Sequence, residues 1–170
     1  MTPTRPAPPQ SVPVYRATQL VATDGANMGD AISFASELLL DDVYELTYAS
    51  KPQRLSMLTT AAQTFEIAPD TEVGVAGARL HLDCALTFMT SDGQTTDAIV
   101  LVEVDENNHA AEIYILPFSA LSSQLGYRLV GIDTVNAHRK FAQTACVSFT
   151  RGTHITMASG EQRPVPYTTL

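Results

Sequence analysis

The sequence is poor in cysteine and in basic residues, and each shortage excludes a class of protein. Cys84 and Cys146 are the two cysteines among 170 residues, too few for a disulfide framework, and the sequence leaves open whether they pair. Ten lysine and arginine residues stand against 18 acidic ones, which gives a formal net charge of −8. Because nucleic-acid binding needs a basic surface, we expect no nucleic-acid partner.

Long apolar runs are also lacking. The longest, Ala98–Val102, has the length of a strand, whereas a bilayer span needs about 20 apolar residues. The N-terminal residues MTPTRPAPPQSVPVY contain no apolar signal segment. We therefore expect no membrane partner and a cytoplasmic location, with secretion of a longer parent chain left open. Hydrophobic residues still make up 45% of the chain, enough to build a core.

Alternation of apolar and polar residues predicts a meander of antiparallel strands. In Leu80–Met89 every second residue is apolar, which is typical of a strand buried on one face. Ser91-Asp92-Gly93 is a hairpin turn signal, and it leads into Ala98–Val104, which is apolar on both faces and should form a central strand. Asn107-Asn108 then turns the chain into a third strand at Glu112–Leu116.

The remaining segments fit the same class. Further strands are predicted at Tyr15–Val21, Leu38–Leu46, Thr64–Ile67 and Tyr127–Asp133, and a helix at Thr134–Thr144 with Val135, Phe141 and Ala142 facing inward. Asp30–Leu39 is compatible with either a short helix or an extended segment. The predicted fold is mainly β, an antiparallel sandwich or partly open barrel with one or two short helices.

Composition divides the chain into three segments. Residues 1–13 are rich in proline and polar residues and are interpreted as a flexible lead-in. Residues 14–144 contain the predicted strands and are interpreted as a β-rich leader domain. Residues 145–170 contain the second cysteine and form the third segment.

The segment Asp24–Asp30, with sequence DGANMGD, is rich in oxygen-bearing side chains and glycine. It has the general composition of a calcium-binding loop but lacks the full ligand spacing and the closing bidentate glutamate. A turn that tolerates unusual backbone angles at Asn and Asp explains it equally well. We predict no metal and no cofactor.

The segment ACVSFTRGTHITMASGEQRPV resembles the opening block of a Hint domain, the module shared by hedgehog proteins and inteins. The residues that carry the resemblance are Cys146 at the first position, Gly152 and Thr153, the strand Ile155–Met157, the turn Ser159-Gly160, and Val165. Upstream, the runs DGANMGDAI, LLLDDVYEL, EVGVAGARLHLDCALTFM and YRLVGIDT are similar to the leader that precedes this module in a group of bacterial Hint-domain proteins.

The resemblance implies self-processing chemistry at the bond between Ala145 and Cys146. The Cys146 thiolate would attack the carbonyl carbon of Ala145 and convert the peptide bond into a thioester, which water or a second nucleophile can open. Gly152 and Thr153 are then motif positions of the same block. The thiolate needs a nearby base or dipole, and the departing nitrogen needs a proton.

The chain departs from the Hint pattern in two respects. It contains neither the Thr-x-x-His motif that supplies the assisting groups nor the terminal His-Asn of splicing inteins, and after Val165 it continues as Pro166–Leu170 where the family has an acidic residue, Leu and Pro-Gly. We therefore expect a truncated Hint start with no efficient self-processing. Apolar surface left uncovered by an incomplete module would favour a homodimer.

An alternative hypothesis is that the whole chain is a stand-alone β-sandwich module for binding or assembly, with no catalysis. In that case residues 146–170 add a final hairpin to the same core, and Cys146 is a buried strand cysteine, since unpaired cysteine is among the most buried residue types. A conventional hydrolase has no motif support in the sequence.

Overall fold

The computed structural model describes residues 10–47, 51–60 and 65–142, and its regular structure is almost entirely β. The strands are β1 (Gln10–Arg16), β2 (Leu20–Asp24), β3 (Val43–Leu46), β4 (Gln53–Thr59), β5 (Phe65–Ile67), β6 (Arg79–Met89), β7 (Thr95–Val104), β8 (Ala110–Pro117) and β9 (Tyr127–Asp133). Two 3-10 helices occupy Ala17–Gln19 and Ala35–Glu37, and α1 covers 137–142. One compact unit extends to Ala137, and a second begins at His138.

Six of the strands close an antiparallel barrel. Their order is β6-β5-β4-β1-β8-β7, and β7 pairs back onto β6. β9, β3 and β2 continue the sheet outward from β6. β6 carries both branches because Arg79 and Leu80 pair with β5, whereas Ala85–Met89 pair with β9. The predicted mainly β, antiparallel class is confirmed, and within it the barrel is closed rather than partly open.

β6 changes the face on which its apolar side chains lie. Leu82 lies opposite Leu101 of β7, but the next pair is Cys84 with Val100, so Asp83 is the extra residue of a β-bulge. Because adjacent residues of β7 point to opposite faces, Leu82 and Cys84 also lie on opposite faces of the sheet. The prediction that the apolar residues of this strand share one face is therefore wrong.

β7 is buried on both faces, as its sequence predicts. Every residue from Ala98 to Val104 is buried, and the strand pairs with β6 on one side and β8 on the other. Val100 belongs to a core cluster that also contains Phe88. The alternate residues Ile99 and Leu101 are fully buried as well but lie on the opposite face, toward the barrel interior. β7 is thus a central strand shared by two cores.

The start of the chain differs from the prediction. In place of one strand at Tyr15–Val21, β1 and β2 are separated by a 3-10 turn. Gln10–Pro13, assigned to the flexible lead-in, belong to β1, because Val12 is buried opposite Leu55 of β4. Residues 1–9 lie outside the described residues, so the prediction for them is untested.

Two further segments also differ. The sequence predicts no strand at β4, because its three consecutive buried residues Leu55–Met57 show no alternation of buried and exposed positions. The burial of the polar residue Ser56 is tolerated because its hydroxyl is hydrogen-bonded to the Ser11 hydroxyl at 2.9 Å. The strand predicted at Leu38–Leu46 is reduced to β3, because Leu39 is half exposed and Asp41 has a φ of 75°.

At the end of the described chain, β9 matches the predicted strand Tyr127–Asp133, and a helix follows within the predicted range. Of the three residues predicted to face inward, Phe141 is buried, whereas Ala142 is exposed. Val135 precedes α1 and is 84% exposed. Its backbone N–H and that of Asn136 donate to the Asp133 carboxylate at 2.9 Å, which fixes the turn before the helix. The predicted boundary between 14–144 and 145–170 lies outside the described residues.

Candidate functional site

The residues predicted to carry self-processing chemistry fall where the structure gives no description. Ala145, Cys146, Gly152 and Thr153 all lie beyond residue 142. Their roles therefore stay predictions, and the structure neither brings them together nor separates them.

Cys84, the other cysteine, is built into the core rather than into a reactive site. Its side chain is fully buried and belongs to the same core cluster as Phe88, another residue of β6. Burial, with a smaller contribution from the neighbouring Asp83 carboxylate, raises the pKa of the Cys84 thiol far above its usual value. Because the thiolate is the reactive form, Cys84 is unsuited to nucleophilic chemistry.

A cleft of about 690 Å³ lies beside the segment Gly25–Leu38, which we call the 25–38 loop. The loop leaves β2 through a turn and then returns along it: the Gly29 N–H donates to the Ala22 carbonyl at 2.8 Å, and the Ala22 N–H donates to the Asp30 carbonyl at 2.9 Å. Further along, the Ile32 N–H donates to the Leu20 carbonyl at 2.9 Å. These bonds hold one wall of the cleft against the sheet.

The start of the 25–38 loop is tied to a buried carboxylate. Asp42 is 1% exposed, and its Oδ1 accepts a hydrogen bond from the Ala26 N–H at 2.8 Å. A β-carbon at Gly25 would lie 2.1 Å from that same oxygen, and the φ of Gly25 is +105°, so glycine is required there. Oδ2 of Asp42 is buried without a hydrogen-bond partner among the described residues.

The charged residues that line the cleft are all acidic. They are Asp30, Glu37 and Glu112, and no lysine, arginine or histidine is found among the described residues of its lining. Glu112 forms an ion pair with Arg16 at 3.1 Å, and Glu37 accepts a hydrogen bond from the Ser33 hydroxyl at 2.6 Å. Asp30 is exposed, and its carboxylate has no partner in the described part of the chain.

Tyr44 of β3 lines the same cleft and is completely buried. Its ring packs edge-on against Phe88 with a centroid distance of 6.3 Å, but its hydroxyl has no hydrogen-bond partner among the described residues. Burial, reinforced by the negative charges of Asp42 and Asp30, raises the pKa of Tyr44 to about 12. The phenol is therefore neutral at physiological pH, and its oxygen is available as an acceptor.

A second buried polar group lies inside the barrel. Glu103 is 4% exposed; its Oε1 accepts a hydrogen bond from the Tyr114 hydroxyl at 2.7 Å, and its Oε2 accepts one from the Val75 N–H at 3.2 Å. Burial and the Glu103 carboxylate raise the pKa of Tyr114 above its usual value. Because both carboxylate oxygens are paired, this group fastens the segment around Val75 to the barrel and offers no free ligand.

Sequence reasoning found part of this arrangement. The oxygen-rich segment Asp24–Asp30 overlaps the first half of the 25–38 loop, whereas Tyr44 is predicted only as part of a strand, without a role. The cleft depends on the pairing of β2 with β3 and on the start of β8, more than 60 residues away in the chain. The one feature of the sequence that could have indicated a role for Tyr44 is its position between acidic residues in DDVYEL.

The described residues contain no group of three or more His, Cys, Asp or Glu side chains that could hold a metal ion. Within the same residues, no helix is long and apolar enough to cross a membrane. Comparison with protein-family models, with curated proteins and with solved structures found no match for the chain.

Proposed function

We propose that residues 14–144 are the leader module of a Hint-type self-processing chain whose labile bond joins Ala145 to Cys146. The observation that carries this proposal is the block that begins at Cys146, with Gly152-Thr153 at its fixed offset. Two features of the structure support it: the first compact unit ends at Ala137, and the other cysteine, Cys84, is sealed in its core. The cytoplasmic location expected from the sequence belongs to the same proposal.

The proposed step is an exchange of an amide for a thioester. The Cys146 sulfur forms a bond to the carbonyl carbon of Ala145, the bond from that carbon to the Cys146 nitrogen breaks, and the nitrogen takes up a proton. Water or an added nucleophile then displaces the sulfur and releases a fragment that ends at Ala145. The missing Thr-x-x-His motif would have to come from sequence beyond Leu170.

The test compares this chain with one extended by a complete Hint module, each treated with hydroxylamine and followed by intact-protein mass spectrometry. We expect the extended chain to release residues 1–145 as a hydroxamate and the 170-residue chain to remain intact. Cys146→Ala should abolish the release, while Cys84→Ala, checked for folding by circular dichroism, should retain it. An extended chain that stays intact, or one that is cleaved despite Cys146→Ala, would refute the mechanism.

The second candidate is a stand-alone binding module without catalysis, and the cleft beside the 25–38 loop favours it. Limited trypsin digestion separates the two candidates. A single module protects residues 146–170, whereas an orphaned Hint start is cut after Arg151; the bond between Arg163 and Pro164 is not a trypsin site. The homodimer expected from uncovered apolar surface belongs with the Hint proposal, and sedimentation velocity of the 170-residue chain tests it.

A further inference from the structure

We propose that the cleft beside the 25–38 loop is a binding site for a small organic amine, with the ammonium group held by the Asp30 carboxylate and the Tyr44 hydroxyl. The site lies entirely within residues 17–113. The proposal does not depend on Cys146 and stands or falls separately from self-processing.

Charge selects a cation over an anion. Three carboxylates line the cleft and no basic residue does so among the described residues, and the chain as a whole has a net charge of −8. Arg16 offsets Glu112, and the Ser33 hydroxyl binds Glu37. The unpaired carboxylate of Asp30 is thus the group that attracts a positive charge.

The buried hydroxyl of Tyr44 is the second, independent observation. An unpaired buried hydroxyl is unfavourable because folding removes its hydrogen bonds to water without replacing them. A ligand N–H that donates to this oxygen would restore the lost bond. The oxygen itself is closed to solvent, although Tyr44 lines the cleft, so this contact requires the cleft lining to shift when the ligand binds.

The apolar part of the lining and the size of the cleft indicate the rest of the ligand. Ile32, Leu38 and Ile113 contribute aliphatic surface, and Phe34 contributes an aromatic ring. A volume of about 690 Å³ falls in the usual range for small-molecule sites. An amine that carries one apolar group of the size of a phenyl ring fits both the charge and the surface.

A bare metal ion fits the site less well. The described residues bring no three His, Cys, Asp or Glu side chains together in a metal-binding arrangement. Of the three carboxylates, Glu37 and Glu112 already have protein partners. An ammonium group needs fewer ligands, and its three N–H donors match one carboxylate and one hydroxyl oxygen.

Three probes of matched size test the proposal: 2-phenylethylamine, 2-phenylethanol and 3-phenylpropionate. Each is titrated into the ¹⁵N-labelled 170-residue chain, and backbone amide shifts are followed by NMR. We expect 2-phenylethylamine to bind with millimolar affinity, as suits a small ligand, and to shift the amides of residues 30–38. The alcohol and the carboxylate should bind at least tenfold more weakly. Equal binding of all three probes, or shifts centred elsewhere, would overturn the proposal.

Substitutions identify the two contacts. Tyr44→Phe removes only the hydroxyl, and Asp30→Asn removes only the charge; each should weaken amine binding about tenfold or more, the effect of losing a hydrogen bond to a charged group. Asp70→Asn, at an exposed position outside the cleft lining, is the matched control and should bind as the parent does. Amine binding unchanged by both Tyr44→Phe and Asp30→Asn would refute the assignment of the site.

Discussion

Replacing Tyr114 by phenylalanine should destabilise the fold, whereas the same change at Tyr44 should not. Both rings are buried, with exposures of 1% and 0%, so their contributions to packing are closely matched. The Tyr114 hydroxyl donates to the buried Glu103 carboxylate at 2.7 Å, but the Tyr44 hydroxyl has no partner among the described residues. The pair therefore isolates the contribution of one hydrogen bond.

The magnitude follows from the charge of the acceptor. A hydrogen bond to a charged group contributes roughly 1.5–3 kcal/mol, and its loss leaves Oε1 of Glu103 buried and unpaired. We expect Tyr114→Phe to lower the free energy of unfolding by about 2 kcal/mol, equivalent to a fall in Tm of about 8 °C for a domain of this size. Tyr44→Phe removes a hydroxyl that was desolvated without compensation, so it should leave stability unchanged or raise it by up to about 1 kcal/mol.

Urea unfolding followed by circular dichroism measures both changes, and equal m-values confirm that the denatured states are comparable. Two results would refute the reasoning. If Tyr114→Phe falls within about 0.5 kcal/mol of the parent, a typical effect of a surface substitution, then the bond to Glu103 contributes little. If Tyr44→Phe is as costly as Tyr114→Phe, then the Tyr44 hydroxyl is paired in solution.

Three other predictions concern the same region and the core. Gly25→Ala should lower the free energy of unfolding by about 3 kcal/mol, because its β-carbon would collide with Asp42 in addition to the strain of a positive φ. Gly29→Ala has open space around the new β-carbon and only the strain of a φ of +96°, so it should lower the same free energy by about 1 kcal/mol. Equal losses for the two variants in urea unfolding would contradict this. Cys84 should not react with Ellman's reagent until the chain is unfolded, because burial raises its thiol pKa. The Cys146→Ala variant leaves Cys84 as the one thiol, so rapid labelling of this variant in its native state would contradict the prediction. Burial raises the pKa of Tyr44 to about 12, so the fold disfavours the phenolate: ionisation of Tyr44 should not affect stability below about pH 10 and should lower it by about 1 kcal/mol at pH 11. A Tyr44→Phe variant with the same alkaline loss would contradict the assignment.

The sequence predicts well those strands whose own order of apolar and polar residues is enough to identify them. β9 matches its predicted bounds, and β7 is buried on both faces as its apolar run indicates. The bulge at Asp83 escaped prediction because the apolar alternation continues across it unchanged. Such a change of face depends on which residues of the partner strand lie opposite, and a single strand's sequence does not contain that information.

The cleft illustrates the same limit for a site. The sequence shows its acidic residues, and Asp30 belongs to the oxygen-rich segment Asp24–Asp30. The sequence does not show the burial of Tyr44, because its ring packs against Phe88, which lies 44 positions further along the chain. The predicted thioester site was identified by a local block instead, and residues 145–153 lie outside the described chain.

The return of the 25–38 loop along β2 also affects how the molecule meets other copies of itself. β2 is the last strand of the branch that leaves the barrel, and an unpaired outer edge is a template for pairing with another chain. The backbone bonds between Ala22 and residues 29–30, and the bridge between Val21 and Ala31, occupy that edge. The loop that walls the cleft thus also shields the sheet from edge-to-edge aggregation, and substitutions that loosen the loop would be expected to lower solubility as well as alter binding.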